Sequence, residues 1–318
     1  MAGAASVTTL RWARPADQPA IRAFLEAVGF VVRPPQTWAA LDMSAATAWR
    51  GERLLGAIPM EPRRLKVGST RSLRCLQQTT VAVDPALRGR GIGTALQDFI
   101  AEQAGEQAEA LTVYREEPES AGYRWYCANG FAPIQRLCIW SRAPGPSPAA
   151  PDLRVAAWDD PAVPLAEIEA LRRRVSAAGN GLYIPRENRS LADWLPVHPY
   201  ARAWRFEIAW STRPLTYALL GRRPEGGLEL LEIGSEAAES GDLAGLVQGL
   251  CGFAYSRGER LRCMLADSDE EAIAAVQAAG FARVSSMDLL MKPLGAGGSP
   301  AFHAADRARW RHYAIDYL

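Results

Sequence analysis

Arg88, Gly89, Arg90, Gly91, Ile92 and Gly93 form the run whose residue types and spacing most directly announce a chemistry. They stand between the alternating Val81 and Val83 and a helical pattern over Thr94 to Ala101. Glycine adopts dihedrals closed to other residues and lets a ligand reach the main chain. A helix N-terminus adds unpaired N–H groups and the positive end of its dipole. Together these features predict an anion site suited to phosphate, with Arg88 and Arg90 adding charge. Pro85 fixes where the strand stops, because it cannot continue an interior ladder. A tight strand-to-helix turn with solvated arginines is the alternative, and the strand-loop-helix context favours the anion site.

The elements that must position this loop can be read on both sides of it. Leu10 to Ala13 reads as a short strand, and Pro15 with Asp17 opens a helix to Gly29, with Ile21, Phe24, Leu25 and Val28 at helical spacing. Phe30 to Ala46 is irregular or partly helical. From Thr47 to Val83 the pattern predicts an antiparallel meander: TAWR, LLGAIPME, then RLKVG turning into LRCLQQTTVAV. The helix after the loop runs to about Glu106, followed by a strand over Ala110 to Tyr114. A second helix spans Glu119 to Ala128, and Asn129-Gly130 ends it before a pair of strands starting at Phe131.

The segment VAVDPALRGRGIG resembles the acyl-CoA-binding motif of the GNAT N-acetyltransferase superfamily. It is neither the GxGxxG dinucleotide fingerprint nor a Walker loop, which ends in Gly-Lys-Ser/Thr. The resemblance implies that Arg88, Gly89, Arg90, Gly91, Ile92, Gly93 and Thr94 hold the CoA phosphates. It also implies that the backbone of Val81, Ala82 and Val83, where strands part, meets the pantetheine arm and the thioester carbonyl. WYCANGF resembles the tyrosine-bearing helix end of the same family, which places Tyr126 at the thioester sulfur as catalytic acid. An aromatic packed under the sheet edge is the plain structural alternative for Tyr126. Tyr123 and Trp125 read as packing residues.

Two departures from the family pattern bear on mechanism. Many relatives place a glutamate base on the strand that here reads LQQTTV, where this chain has Gln77, Gln78 and Thr79. Glu61, Glu117 and Asp316 are the candidate carboxylates for a base acting through water. Glu119 stands where relatives often carry an asparagine near the pantetheine arm.

At 318 residues the chain is long enough for about two domains. With 36 basic against 35 acidic side chains it has no net field to attract nucleic acid or an anionic membrane. Five scattered cysteines without a CxxC pair give no zinc-ligand spacing, so no metal is expected and the thiols read as reduced. No stretch reads as a signal peptide or a membrane span, and the expected location is the cytoplasm.

RAPGPSPAAP, with four prolines and no apolar period, reads as a linker. Beyond it the order of elements repeats: strand Leu153 to Ala157, helix Pro164 to Ala178, three strands, helix Leu243 to Arg257, strand Arg260 to Leu265 and helix Glu270 to Ala279. AAVQAAGF then stands where the first half has RWYCANGF, so Val276 falls at the place of Tyr126. SEAAESGDL replaces the arginine-glycine loop, and its acids would repel pyrophosphate.

The resulting fold class is α/β (α+β): two tandem GNAT-like domains, each a mixed, mostly antiparallel twisted sheet flanked by helices. The expected divisions are a catalytic domain over residues 1–142, a linker over 143–151, a degenerate domain over 152–294 and a tail over 295–318 whose aromatics could dock. YIPRENRSLADWLPVHPY also faintly resembles an insert of tandem GNAT-like proteins.

The expected activity is transfer of acetyl from acetyl-CoA to the amine of a small molecule, such as an amino sugar, an amino acid or an antibiotic-like amine. The resemblance leaves open a non-catalytic acyl-CoA-binding scaffold, or transfer to a hydroxyl or of a longer chain, and it leaves open a homodimer. A phenol near pKa ~10 giving its proton to a thiolate near ~8.5 is uphill by about 2 kcal/mol. Tyr126 is therefore expected to act mainly as a hydrogen-bond donor to sulfur.

Overall fold

A computed structural model describes residues 8–294 apart from 31, 34, 68–70, 106, 117–118, 148–151, 179–180, 184–189, 199, 202, 213–214 and 237–239. Glu117, Asp316, the tail over 295–318 and part of the acidic loop lie outside the described residues.

The first half runs β1 (Thr9–Trp12), α1 (Gln18–Ala27), α2 (Pro35–Ala40), β2 (Ser44–Arg50), β3 (Arg53–Val67), β4 (Arg71–Gln78) and β5 (Ala82–Val83). It continues with α3 (Ile92–Gln103), β6 (Ala110–Glu116), α4 (Ala121–Ala128) and β7 (Ala132–Arg142). The second half runs β8 (Arg154–Ala157), α5 (Leu165–Ala178), β9 (Gly181–Tyr183), α6 (Leu191–Trp194), β10 (Arg205–Thr212), β11 (Leu215–Arg222) and β12 (Leu228–Ser235). It ends with α7 (Ser240–Ser256), β13 (Leu261–Ala266), α8 (Glu270–Ala278) and β14 (Ala282–Pro293). The fold is a mixed α/β one in which helices flank one large sheet, the expected class.

Local chemistry accounts for the main breaks. The β2–β3 hairpin turns at Gly51, whose φ of 59° suits glycine. The reading of the sequence divides β3 near Pro62, yet the strand is continuous for 15 residues. On one edge it pairs β2 up to Met60 and β9 from Arg64, and Pro62 falls in the gap between them. A missing N–H there breaks no ladder.

The sheet order is β1-β2-β3-β4-β6-β14-β7-β13-β12-β11-β10-β8, with β5 and β9 paired to β3. The two halves exchange their last strands. β14 of the second half lies between β6 and β7, and β7 in turn lies against β13. The expected strand pair after Phe131 is therefore corrected: one 11-residue strand follows, and the neighbour it would have paired with comes from the other half. Nothing in APIQRLCIWSR provides a turn, so the chain passes straight through the sheet.

On one face of the first half, α3 and α4 bury Leu96, Ile100 and Tyr126 against Ile58, Met60 and Leu290. The opposite face packs Ile21, Leu25 and Trp38 over Ala45, Ala57 and Ala82. Leu290 belongs to β14, so the second half contributes to the core beneath α4.

Candidate active site

The site begins where two parallel strands part. β4 and β6 pair only through Cys75–Ala110, Leu76–Leu111 and Gln77–Thr112. After Gln77 the chain stays with β3: Thr79 N–H donates to the Pro59 carbonyl at 3.0 Å, and β5 pairs Ala82 with Ala57 and Val83 with Gly56. The register shifts by one residue between these stretches, a bulge that bends the strand line away from β6. Asp84 N–H donates to the Leu55 carbonyl at 2.9 Å. Strand alternation then turns the Val83 N–H outward, into the opening. Ala82 is buried while Val81 and Val83 are partly open.

The loop that follows is shaped by Asp84 and two glycines. The Asp84 carboxylate accepts the Ala86 N–H at 3.0 Å and pairs with Arg53 Nη2 at 2.5 Å. These contacts hold its carboxyl below the ordinary carboxylate range. The chain then makes a turn at Pro85–Leu87, and the Arg88 Nε–H donates back to the Val83 carbonyl at 3.4 Å. Gly89 and Gly91 have φ of 75° and 79°, and a side chain on either would meet nothing within 4 Å. Both therefore face open space and are glycine for their backbone. Gly91 caps α3 without a side-chain bond, leaving the first-turn N–H groups of Ile92, Gly93 and Thr94 outside the intrahelical ladder. Arg88 and Arg90 are exposed, and among the described residues neither has a carboxylate partner.

Gly93 serves differently from the sequence reading. Its φ is not in the left-handed region, and a Cβ there would come 3.2 Å from the Trp125 ring. It is small because α4 lies across the start of α3. Trp125, read as packing, is what makes that contact.

Tyr126 stands on α4 across from this loop, 3 % exposed, edge-on to Trp125 and Phe131 with ring centroids 5.0 and 5.1 Å away. Its hydroxyl has no hydrogen-bond partner among the described residues. Burial pushes the phenol above its ordinary pKa, and Arg115, whose guanidinium lies 5.6 Å from the ring centroid, pulls it partly back. Tyr126 is thus a neutral O–H donor throughout the physiological range, an even weaker proton source than an ordinary phenol.

Of the residues on LQQTTV, Gln78 is structural. It exchanges amide hydrogen bonds with Gln97 of α3 at 2.8 and 2.7 Å, both side chains buried. Gln77 points to the other face, in register with Glu61 of β3 and Thr112 of β6. All three are at most 3 % exposed. Gln77 Oε1 and Thr112 Oγ1 are buried without a hydrogen-bond partner. They stand at the last paired rung of β4 and β6, just before the two strands part.

Glu61 is not free to act as a base. Its Oε1 is ion-paired with Arg33 and its Oε2 with Arg63, so both oxygens are engaged by guanidiniums. Burial, with Arg63 beside it, pushes Arg33 down to about 9. Glu119 is exposed on the approach to α4, and its carbonyl accepts from Arg124. Sequence reasoning missed Arg33, Thr112 and Arg115, since none lies in a recognisable motif. The alternation of β4 read against β3 and β6 would have placed Gln77 and Thr112 on one face.

In the second half the same place is filled. The bulge recurs as Leu219–Glu232 followed by Leu220–Leu230, which makes Tyr217 and Gly234 the counterparts of Ala57 and Ala82. The Tyr217 ring lies against Gly234, where no side chain would fit. Its hydroxyl donates to Glu232 Oε1 at 2.5 Å, and Arg172 Nε donates to the same oxygen at 2.5 Å. Val276 takes the place of Tyr126, buried among α7 and α8 residues. Among the described residues no group of three or more His, Cys, Asp or Glu side chains could hold a metal ion. No helix among them is long and apolar enough to cross a membrane.

Comparison with known proteins fits this geometry. The acetyltransferase (GNAT) domain family matches residues 33–133. No curated protein matches the sequence. Among solved structures, a GCN5-related N-acetyltransferase from Anabaena variabilis superimposes with a TM-score of 0.64 at 14% identity, over 90% of this chain and 73% of that one. One from Kribbella flavida gives 0.61 at 14%, over 92% and 73%. A tandem GNAT protein from the clavulanic acid biosynthesis pathway gives 0.59 at 14% identity, over 92% of this chain and 100% of that one. At such identities the likeness is one of fold. Residues 33–133 thus match the acetyltransferase (GNAT) domain family, and the chain as a whole shares the fold of the tandem GNAT protein.

Proposed function

We propose that the chain transfers acetyl from acetyl-CoA to the primary amine of a small polar molecule, in a ternary complex formed once per chain in the first half. The observation that carries this reading is the convergence of three features. The strand line Val81–Val83 parts from β6, the glycine loop ends on the bare N-terminus of α3, and Tyr126 of α4 packs in one core cluster with Val81 and Ile92.

Each part has a chemical task. Arg88, Arg90 and the amides from Gly89 to Thr94 hold the phosphates of acetyl-CoA, a fit supported by the open space at Gly89 and Gly91. The outward N–H of Val83, with Val81 and Ala82 lining the opening, polarises the thioester carbonyl and stabilises the oxyanion that forms on attack. The amine nitrogen attacks the carbonyl carbon, and the C–S bond breaks as the tetrahedral state collapses. Tyr126 donates a hydrogen bond to the departing sulfur, and its raised pKa keeps it in the donor form. With Glu61 engaged by Arg33 and Arg63, the ammonium proton leaves through water rather than to that carboxylate. A cytoplasmic location is part of this proposal, and a small-molecule acceptor, rather than nucleic acid or an anionic membrane, accords with the balanced charge of the chain.

The test is release of CoA from acetyl-CoA across a panel of amino sugars, amino acids and other primary amines. Acetylated product, lost in the Tyr126→Phe variant, supports the reading. Binding of acetyl-CoA with no product from any amine would favour a non-catalytic acyl-CoA-binding role.

A further inference from the structure

Tyr123, three residues before Tyr126 on α4, is tied to the second half. Its hydroxyl donates to Asp288 Oδ2 at 2.9 Å, and Asp288 lies on β14, the strand exchanged into the first half's sheet. The carboxylate is 3 % exposed, and its other oxygen accepts Arg136 Nε–H of β7 at 2.9 Å. In register, Asp288 stands between Arg115 of β6 and Arg136 of β7. Arg115 is the guanidinium over the Tyr126 ring. Burial, then the hydrogen bond to Asp288, push the Tyr123 phenol above its ordinary pKa, so it stays a donor.

A helix of eight residues is held mainly by what its side chains grip. Towards solvent α4 presents Ala121, Arg124, Cys127 and Ala128, while Tyr123 and Tyr126 point inward. Among the described residues Tyr126 has ring contacts and no hydroxyl bond. The polar anchor of this inward face is therefore Tyr123 on Asp288, and it sits one helical turn from the group placed at the thioester.

Resting on the functional reading above, we propose that Asp288 is a positioning residue: the second half, through its exchanged strand, grips Tyr123 and so sets the place of Tyr126 in the first half's active site. The second half then acts as a working part of the catalytic site although the corresponding place within it is filled by Tyr217. Asp288 touches no reacting atom in this account and acts only through Tyr123 and α4.

The test labels the full chain with 3-fluorotyrosine and follows the Tyr126 fluorine line, identified by its loss in Tyr126→Phe. In Tyr123→Phe and in Asp288→Ala the line moves or broadens. On the amine panel, Tyr123→Phe lowers kcat about tenfold with KM for acetyl-CoA unchanged, and this loss disappears in the Tyr126→Phe background. An unmoved line in Tyr123→Phe, an unmoved line in Asp288→Ala, or kcat losses that add in the double variant would each overturn the proposal. Absence of any acetylated product would sink the functional reading alone, because the fluorine line reads the coupling without turnover.

Discussion

Tyr126 and Val276 occupy the same place in the two halves: the Phe131 N–H donates to the Tyr126 carbonyl at 3.1 Å, and the Phe281 N–H donates to the Val276 carbonyl at 3.0 Å. Both residues end a short helix, at Gly130 and Gly280 with φ of 86° and 82°, and both are buried. Only one carries a hydroxyl. The backbone framework is thus present twice, while the hydroxyl at this place is present once.

Removing that hydroxyl separates catalysis from binding. Tyr126→Phe keeps the ring contacts to Trp125 and Phe131 and loses a hydrogen bond to developing charge, an interaction of about 1.5–3 kcal/mol. The expected outcome is a fall in kcat of roughly tenfold to hundredfold with acetyl-CoA affinity unchanged by calorimetry.

The Gln78–Gln97 pair fastens α3 to β4 behind the loop. Gln97→Leu strands the Gln78 amide in the core, and urea denaturation should show a loss of about 1–3 kcal/mol. The double variant Gln78→Leu/Gln97→Leu should recover much of that loss, since no polar group is then left unpaired.

Asp84 ties loop order to pH. Its carboxyl is lowered from 3.8 by the Ala86 N–H and by Arg53, so the folded state favours the ionised form. The contribution is complete above the unfolded value and is lost as pH falls through the lower, folded one. Asp84→Ala should therefore weaken acetyl-CoA binding at neutral pH. Thermal unfolding of the variant and the wild type should converge in strong acid.

Some of this was legible in the residues and some was not. Two helices, the strand before the loop and the positions of Gly89 and Gly91 follow from short-range chemistry: periodicity, proline and backbone freedom. The repeat of elements was visible because AAVQAAGF and RWYCANGF share one helix ending. The strand exchange was invisible, because APIQRLCIWSR and ARVSSMDLLMKP read as strands without naming their neighbours. Thr112, Arg33 and Asp288 were hidden for the same reason, since their neighbours lie on strands or halves distant in sequence. Gly93 was read for its backbone when its smallness answers to Trp125, a contact only the packing of α4 on α3 reveals.

The central claim is that the loop from Arg88 to Thr94 holds the phosphates of acetyl-CoA, and calorimetric titration of acetyl-CoA into the wild type and Gly91→Asp tests it most directly. Position 91 is open but left-handed, so aspartate adds both backbone strain and a negative charge at the mouth of α3. The account predicts saturable binding to the wild type and an affinity at least about tenfold weaker in the variant. Equal affinities in the two proteins, or no binding to the wild type, would contradict it.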